Sequence, residues 1–422
     1  MTTWILKPRD TLLVRDARPS YAGTGGLRTL DFPWPSSLAG LVRTLIGSAK
    51  SGRFDLDIHS AKQIAIRGPL LVELHAAGQP EGEEGANSGL FVPAPNDCIW
   101  YRGADASDPR KTVLFRRRLE PVDYRKEHPG FCTDLDGNAA HKQQTQYLLQ
   151  HRGGTDDSSV GKPVAGCAFW RWTELLSWLL EPPRMTVFSE QPDPDNSRPC
   201  IKDFGLSALD REQRTHVGID SLSQTSSDGM LFVTESLRFT KQQPSGAPKE
   251  YGILFACDNP YQTERALTSG LVTFGGERKL SFLSESKHAL PPWPSALVNA
   301  VSESLASKQR PRLARVVLLT PALFKDGFAP QWIGSPSVKV VAAAVQRPQV
   351  VSGWDFDKKA PKPNRRMAAA GSVYWVELPD GLNVTEWLDS VWMKCLPNQT
   401  NEQDTNEQDT KDGFGLCAVG VG

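Results

Sequence analysis

The sequence predicts an α+β protein built from two sandwich-like domains. Short apolar runs with the character of β-strands alternate with amphipathic helices along all 422 residues. Several of the strand candidates follow one another at hairpin spacing, and long polar loops separate the groups. A doubly wound parallel sheet would instead alternate strands and helices without hairpins, so the α+β class is favoured. A chain of this length exceeds one typical domain, and two domains with insertions are expected.

The first elements can be placed from periodicity and turn residues. Residues 4–16 predict one or two strands, and the stretch FPWPSSLAGLVRTLIGSAK (32–50) predicts a helix capped by Ser36 or Ser37. Its apolar residues recur at the spacing of one helical face: Leu38, Leu41, Val42, Leu45 and Ile46. The run 64–74 predicts a hairpin that turns at Gly68 and Pro69, and 89–95 predicts another strand.

The middle of the chain suggests an insertion and a domain boundary. Residues 102–165 are poorly patterned and rich in charge, which favours an inserted region over core. The stretch 169–183 predicts a helix that is ended by prolines. Residues 191–199, rich in Pro, Asp and Ser, are the best candidate linker. We therefore predict an N-terminal domain over 1–190 and a C-terminal domain over 200–422.

The second half predicts mainly strands, with two helices. The helices are expected at 295–308 and 384–396; the strands are expected at 216–219, 230–239, 251–257, 271–274, 315–320, 338–346, 371–378 and 415–422. Residues 401–405 and 406–410 are the same pentapeptide, NEQDT. Its acidic and amide side chains predict a solvated loop that leads into the last strand.

Composition excludes several classes of protein. The 48 basic and 48 acidic side chains give a net charge of zero, so any anion-binding surface must be a local patch. Seven single cysteines without a CxxC pair favour reduced thiols. The N-terminus lacks the pattern of a signal peptide, and no apolar run is long enough for a membrane span. We expect a cytoplasmic protein without a membrane partner.

Motifs for catalysis and cofactors are absent from the sequence. The glycine-rich stretch LVTFGGERKLSF, residues 271–282, fits neither a P-loop nor a dinucleotide fingerprint. The seven histidines form no HxH or HxxxH pair, and a GxSxG elbow is missing. We therefore expect no metal, no cofactor and no catalytic residue. His216, in a strand-like run, is more typical of a structural residue than of a catalyst.

The glycine-rich stretch allows two interpretations. It is either a plain turn with solvated charges or a clamp for a polynucleotide backbone. In the clamp, the amides of Gly275 and Gly276 approach phosphates, and Arg278 and Lys279 neutralise them. Glu277 would then brace a neighbouring arginine. The local sequence alone favours the turn.

Other basic residues are weaker candidates for the same role. The stretch RKTVLFRRR (110–118) is either a solvated flank or an RNA contact. KKAPKPNRR (358–366) predicts a Pro-rich loop that carries Lys362, Arg365 and Arg366, either as a spacer or as a phosphate contact. Arg15 and Arg18 flank Asp16, and Arg43 lies off the apolar stripe of the first helix. Tyr21, Phe32 and Trp34 could stack on bases.

Seven stretches along the chain form a pattern when they are taken in order: DTLLVRDARP, FPWPSSLAGLVRTLIG, RTHVGIDSLSQTSSDGMLF, LVTFGGERKLSF, LLTPALF, VVSGWDFDKKAPKPNRRMAAAGSVYWVE and GFGLCAVGVG. Together they resemble one family: the third subunit of the Cmr complex, the type III-B CRISPR effector, within the RAMP superfamily. The resemblance covers nearly the whole chain except 80–165 and the NEQDT tract.

The resemblance implies two ferredoxin-like (RRM-related) domains with long insertions, the second with its glycine-rich loop at 274–280. It also implies a non-catalytic, RNA-binding role. Such a subunit binds the repeat-derived 5′ handle of the CRISPR RNA and joins the large polymerase-like subunit to the other backbone subunits. The candidate RNA-binding residues are Arg15, Arg18, Arg43, His216, Gly275, Gly276, Arg278, Lys279, Lys362, Arg365 and Arg366.

Two alternatives stay open. The first is a metal-independent endoribonuclease of the same superfamily, in which His216 would act as general acid or base. The second is a protein-only scaffold whose basic loops contact acidic neighbouring subunits.

Overall fold

The computed structural model describes residues 1–15, 27–74, 89–105, 112–122, 147–150, 162–183, 185–190, 198–242, 246–306, 312–325, 327–330, 332–355, 358–397 and 406–422. The helices in these ranges are Pro35–Gly47 (α1), Ile58–Gln63 (α2), Trp172–Leu180 (α3), Ile201–Phe204 (α4), Ser295–Ala306 (α5), Val384–Val391 (α6) and Asn406–Lys411 (α7). The strands in the first half are Thr2–Pro8 (β1), Ala65–Leu74 (β2), Leu90–Pro93 (β3), Cys98–Ala104 (β4), Thr112–Arg118 (β5), Glu120–Val122 (β6), Leu148–Gln150 (β7), Pro163–Val164 (β8), Phe169–Arg171 (β9), Met185–Phe188 (β10) and Gly205–Leu206 (β11). Those that follow are Asp210–Ile219 (β12), Ser226–Arg238 (β13), Thr240–Lys241 (β14), Lys249–Asp258 (β15), Gly270–Thr273 (β16), Leu280–Ser286 (β17), Leu313–Leu318 (β18), Trp332–Ile333 (β19), Ser335–Ala344 (β20), Gln349–Asp355 (β21), Ala360–Met367 (β22), Val373–Glu377 (β23) and Cys417–Val421 (β24).

The architecture is mixed α/β with mostly antiparallel sheets. A nine-stranded sheet has the order β11–β9–β3–β2–β15–β1–β17–β16, and β14 pairs with the end of β15. A five-stranded sheet has the order β19–β20–β23–β18–β24. A small sheet, β10–β5–β4–β8, and three two-stranded pairs, β12–β13, β21–β22 and β6–β7, complete the described strands. These observations confirm a mixture of helices with antiparallel sheets; the two ferredoxin-like units stay a prediction.

Strand β1 is buried on both faces of the nine-stranded sheet, to which its successive side chains point in turn. On β1, Trp4 and Leu6 pack in one apolar cluster with α1. Ile5 joins a second cluster that includes Tyr374 and Trp375 of the five-stranded sheet. Helices α3, α5 and α6 all contact β24. The two large sheets therefore share one core.

The predicted boundary at 190–200 does not separate the two large sheets. Strand β15 pairs with both β1 and β2, and β17 pairs with β1. Residues from beyond position 200 thus lie at the centre of the sheet that begins the chain. The two ends of the sequence are connected by backbone hydrogen bonds rather than divided between independent sheets.

Two predictions about local structure are wrong. The run around Gly68 and Pro69 is not a hairpin, because β2 continues through it and pairs with β15 on both sides. Gly68 has a φ of 122°, and β15 shifts register there between Leu254 and Ala256, so a bulge absorbs the break. The helix predicted within residues 32–50 is confirmed as α1, but its N-cap is Trp34, and no side chain caps it. Pro35 begins the helix instead, as its fixed φ allows.

A buried ion pair connects the five-stranded sheet to the turn that precedes β4. The guanidinium of Arg315, on β18, donates to the carboxylate of Asp97, and both side chains are fully buried. Arg315 also donates to the carbonyl oxygens of Trp178 and Val421, and the indole of Trp178 donates to Asp97 at 2.9 Å. Because almost every donor and acceptor is satisfied, the pair can be tolerated away from water.

Candidate functional site

The glycine-rich loop, residues 274–279, packs against the chain near Leu13. The amide of Gly276 donates to the carbonyl oxygen of Leu13 at 2.7 Å, and the amide of Phe274 donates to that of Lys279 at 2.9 Å. Gly275 has a φ of 76°, and a Cβ there would lie 2.6 Å from the Leu13 oxygen. These glycines therefore serve close packing of two backbones. Because the amide of Gly276 already donates to Leu13, this bond conflicts with the predicted approach of the amide to a phosphate.

The tip of this loop exposes the side chains of Glu277 and Arg278. Arg278 is exposed, and Lys279 lies 3.3 Å from Glu277. Glu277 and Arg278 both have positive φ, 57° and 50°, so the tip is a tight left-handed turn. Strand β17 follows at once. The turn therefore presents Arg278 to solvent, whereas the side chain of Lys279 is only 20% exposed and is paired with Glu277.

A long hairpin, β12–β13, begins beside this loop. Arg214 on β12 contacts Glu212 at 2.5 Å and lies 3.7 Å from Asp10. The pKa of Arg214 is raised, first by its hydrogen bond to Glu212 and in smaller part by the charge of Glu277. Glu277 forms its ion pair with Lys279, and the bracing of an arginine by Glu277 stays a prediction. The sequence analysis did not single out Arg214. Its strand, β12, begins with a run of charged and polar residues and has no apolar face there, which is typical of a hairpin that projects into solvent.

His216 lies on the same face of this hairpin. Its ring stacks on Phe232 with 5.2 Å between centroids and an interplanar angle of 14°. Its Nε2 hydrogen bonds with the hydroxyl of Thr234 at 2.8 Å. These two contacts fix the orientation of the imidazole on the hairpin.

The basic stretch 358–366 is a strand and not the Pro-rich loop that the sequence predicted. Residues Ala360–Met367 pair with β21 in a two-stranded hairpin. Arg366 is exposed and Lys362 is half-buried. Trp354, opposite Pro361, leaves 51% of its surface exposed. The hairpin combines cations with an exposed ring, which suits binding of single-stranded nucleic acid.

Arg365 lies in the same strand but is already paired. Its guanidinium makes two hydrogen bonds to Asp409, at 2.8 and 2.9 Å. Asp409 belongs to α7, the second copy of NEQDT, and its side chain is only 7% exposed. The prediction of a solvated loop is therefore wrong for residues 406–410. Burial raises the pKa of Asp409, and the hydrogen bonds from Arg365 oppose that shift.

Arg43 is held by the same region. It contacts Asp412, the residue that follows α7, at 2.5 Å, and it donates to the carbonyl oxygen of Ile64 at 2.9 Å. Its side chain is 15% exposed. These contacts give Arg43 a structural role in attaching α7 to α1, and they leave little of its guanidinium for RNA.

The remaining candidates lie near the start of the chain. Arg15 is exposed and forms an isolated backbone bridge with Thr29. Arg18 and Tyr21 lie outside the described residues. Phe32 and Trp34, both half-buried, lie in the segment that leads into α1. The structure thus brings Arg278, Lys279 and the hairpin β12–β13 together, and it places Lys362 and Arg366 on a separate hairpin.

Residues 112–118, the described part of the basic stretch 110–118, are neither a solvated flank nor an exposed RNA contact. Arg116 and Arg117, on β5, are 7% and 5% exposed. The guanidinium of Arg116 lies over four aromatic rings, those of Trp170, Trp178, Phe188 and Phe204, at 4.8–5.3 Å. Cation–π contacts stabilise such a buried charge. Desolvation lowers the pKa of Arg116.

Groups of metal-ligating side chains do not occur among the described residues. Within the same ranges, none of the helices is long and apolar enough to span a membrane. The described cysteines are free thiols.

The comparison with protein families decides the identity of the chain. The model of the family described as CRISPR-associated protein (Cas_Cmr3) matches residues 4–422. The chain belongs to this family. Cas_Cmr3 is the third subunit of the Cmr complex, so the resemblance seen in seven stretches is confirmed. The Cas_Cmr3 chain is therefore a subunit of a type III-B CRISPR effector.

Two solved assemblies contain chains similar to this Cas_Cmr3 protein. One is a cryo-EM structure of the type III-B Cmr-β bound to cognate target RNA, with 14% identity, coverage of 88% of this chain and 86% of that chain, and a TM-score of 0.44. The other is the same assembly with target RNA and AMPPnP in state 1, with 13% identity, the same coverage of both chains and a TM-score of 0.42. A search of curated proteins gave no match.

Proposed function

We propose that this protein is a non-catalytic subunit that binds the 5′ repeat-derived handle of the CRISPR RNA. In this role it connects the large polymerase-like subunit to the backbone subunits of the effector. The observation that carries the proposal is the cationic turn of the glycine-rich loop, in a chain that belongs to the Cas_Cmr3 family. Arg278 is exposed there, and Lys279 is fixed beside it by Glu277.

Binding would rest on side-chain charge and on stacking. Arg278 and Lys279 neutralise phosphates, and Arg214 lies close enough to Glu277 for their charges to interact. The hairpin β21–β22 adds Arg366 and the exposed ring of Trp354. Exposed bases of a single strand stack on aromatic rings of this kind. Zero net charge is compatible with this, because the cations are grouped on loops and hairpins.

The test compares two pairs of charge-removing substitutions in the full-length protein. Arg278→Ala with Lys279→Ala should weaken binding of handle RNA and reduce the slope of log affinity against log salt by roughly one unit for each phosphate that is no longer neutralised. Lys50→Ala with Arg53→Ala removes the same charge from the exposed region after α1 and should leave the slope unchanged. Equal affinity and equal slopes in both double variants would contradict the clamp.

A nuclease assay checks the non-catalytic part of the proposal. The purified protein is incubated with precursor repeat RNA in EDTA, beside a His216→Ala variant. We expect no cleavage that depends on His216. Specific cleavage that disappears in the variant would identify an endoribonuclease instead. Copurification of the assembled subunits without any RNA would favour a protein-only scaffold.

A further inference from the structure

One edge of the nine-stranded sheet is open. Strand β16 is the last strand of this sheet, and among the described strands it pairs only with β17. The amide of Phe274 donates to the carbonyl oxygen of Lys279, and hydrogen-bonded pairs alternate along an antiparallel ladder. Val272 therefore bonds to β17, whereas the N–H and C=O groups of Leu271 and Thr273 point away from the sheet. The edge thus offers backbone donors and acceptors that no described strand uses.

The features that usually protect such an edge are missing here. Native proteins blunt edge strands with charged residues, prolines, bulges, or a covering helix or loop. Residues 266–276 contain no charged residue and no proline. The register between β16 and β17 is regular, so no bulge twists the edge away. Leu271 and Thr273 are exposed, so no helix or loop within the described chain covers them. An unprotected edge of this kind favours pairing with another chain.

The sheet face beside this edge is apolar and exposed. Leu271 and Phe282 are direct cross-strand partners, and Leu280 lies two residues before Phe282, so the three side chains point to one face. Their exposed fractions are 64%, 47% and 39%, for Leu271, Phe282 and Leu280 in turn. The opposite face, with Val272 and Leu283, is buried in the cluster around α1. We call the edge of β16 together with Leu271, Leu280 and Phe282 the β16 surface. A patch of neighbouring apolar side chains is typical of an interaction site.

A protein strand fits the β16 surface better than RNA does. In β-strand addition, an extended segment pairs with an open edge through backbone hydrogen bonds, and its alternate side chains pack on the sheet. This matches the backbone groups of the edge and the apolar side chains beside them. RNA instead needs cations for its phosphates and rings for its bases. Residues 266–276 supply no cation, and only one of the three apolar side chains, that of Phe282, is a ring.

The charge at the border of the β16 surface constrains the occupant further. The amide of Arg9 donates to the carbonyl oxygen of Leu280 at 3.0 Å, which places Arg9 beside the apolar patch. Arg9 is exposed and forms no ion pair within the described part of the chain, whereas Lys7 is paired with Glu250 at 2.6 Å. Strands β16 and β17 separate Arg9 from the open edge, and neighbouring strands lie about 4.8 Å apart. The occupant must therefore extend beyond one strand and carry an acidic side chain over the patch.

We propose that β16 is the docking strand for a neighbouring protein subunit of the effector. The subunit adds an extended, mainly apolar segment to the open edge, and its body covers Leu271, Leu280 and Phe282. A carboxylate on that body pairs with Arg9. This inference rests on the connecting part of the proposed function, and it uses none of the side chains that are proposed to bind RNA.

The direct test is hydrogen–deuterium exchange resolved at single amides by electron-transfer fragmentation. It compares the full-length protein alone at two concentrations, the protein with handle RNA, and the assembled effector. We expect the amides of Leu271 and Thr273 to exchange rapidly in every sample except the effector, where protection should rise at least about tenfold. The amide of Val272 is the internal control, because it bonds to β17 and should be protected in all samples.

Each other outcome of this experiment overturns the inference. Protection by handle RNA alone would identify RNA as the occupant of the edge. Protection that grows with the concentration of the protein alone would identify a second copy of the chain. Rapid exchange of Leu271 and Thr273 in the effector would show that the edge stays open.

Two substitutions of one residue separate backbone pairing from side-chain packing. Thr273→Pro removes an outward N–H and places a ring at the edge, a position at which edge strands tolerate proline. Thr273→Ala keeps the N–H and is the matched control. Each full-length variant is added to an effector assembled without this chain. We expect Thr273→Pro to bind about tenfold more weakly than Thr273→Ala. Equal affinities, with the Val272 amide protected in both variants, would refute strand addition.

The inference and the proposed function fail in different ways. A protein that binds handle RNA but joins no other subunit would refute the connecting role and the β16 inference together. Assembly with specific binding of handle RNA, but with rapid exchange at Leu271 and Thr273, would refute the β16 inference alone. Protection of these two amides in the effector, without any specific affinity for handle RNA, would refute the RNA-binding role alone.

Discussion

Replacement of Arg365 by alanine should destabilise the protein through α7. Arg365 is the partner of Asp409, whose side chain is 7% exposed, whereas that of Arg365 is 38% exposed. Breaking a fully buried pair costs about 3–5 kcal/mol, and an exposed pair contributes about 0–1 kcal/mol. Because solvent reaches the arginine, we expect a loss of about 2 kcal/mol in the free energy of unfolding, between these limits.

The assay is urea unfolding followed by circular dichroism. Arg366→Ala is the matched control, because Arg366 is the next residue on the same strand and is exposed. Asp409→Asn, added to Arg365→Ala, should restore part of the lost stability, since it removes the uncompensated buried charge. If Arg365→Ala and Arg366→Ala unfold at the same urea concentration, the pair does not hold α7 and our reasoning is wrong.

The pH dependence of the same group has a definite sign. Burial is the main cause of the raised pKa of Asp409 in the folded state. The folded protein therefore binds more protons at this site than the unfolded chain, and the contribution of Asp409 to stability falls as the pH rises through its folded pKa. The loss of stability begins near pH 3.8, the ordinary pKa of an aspartate, because the unfolded chain releases its proton there. Asp409→Asn should remove this part of the dependence of stability on pH.

Three further predictions concern the loop, a thiol and the buried pair. Gly275→Ala should lower the free energy of unfolding by about 2 kcal/mol more than Gly229→Ala. Both glycines have positive φ, but only at Gly275 would the added Cβ collide with a backbone oxygen, that of Leu13. Equal unfolding midpoints for the two variants would contradict this packing. The pKa of Cys257 is raised by burial to about 12, so at pH 8 iodoacetamide should label its peptide, measured by mass spectrometry, only after unfolding. Asp97→Ala should cost about 3–5 kcal/mol in urea unfolding by leaving Arg315 unpaired, and a loss below about 1 kcal/mol would show that the pair is dispensable.

The sequence determined the local elements and the family. The apolar spacing from Leu38 to Ile46 is a property of neighbouring residues, so α1 could be read directly. The runs that became β15 and β23 are apolar over most of their length, and they were recognised as strands for the same reason. The order of seven short motifs gave the family, although each motif alone was weak.

Only the tertiary structure decided which charged residues are buried. Arg43 and Asp412 are separated by 369 positions, and Arg365 and Asp409 by 44, so no local pattern connects them. The stretch around Arg116 was interpreted as a solvated flank or an RNA contact, yet Arg116 is enclosed by rings from four other positions in the chain. A charged side chain can be buried only where a distant partner compensates for its lost water, and that partner becomes known only when the chain has folded.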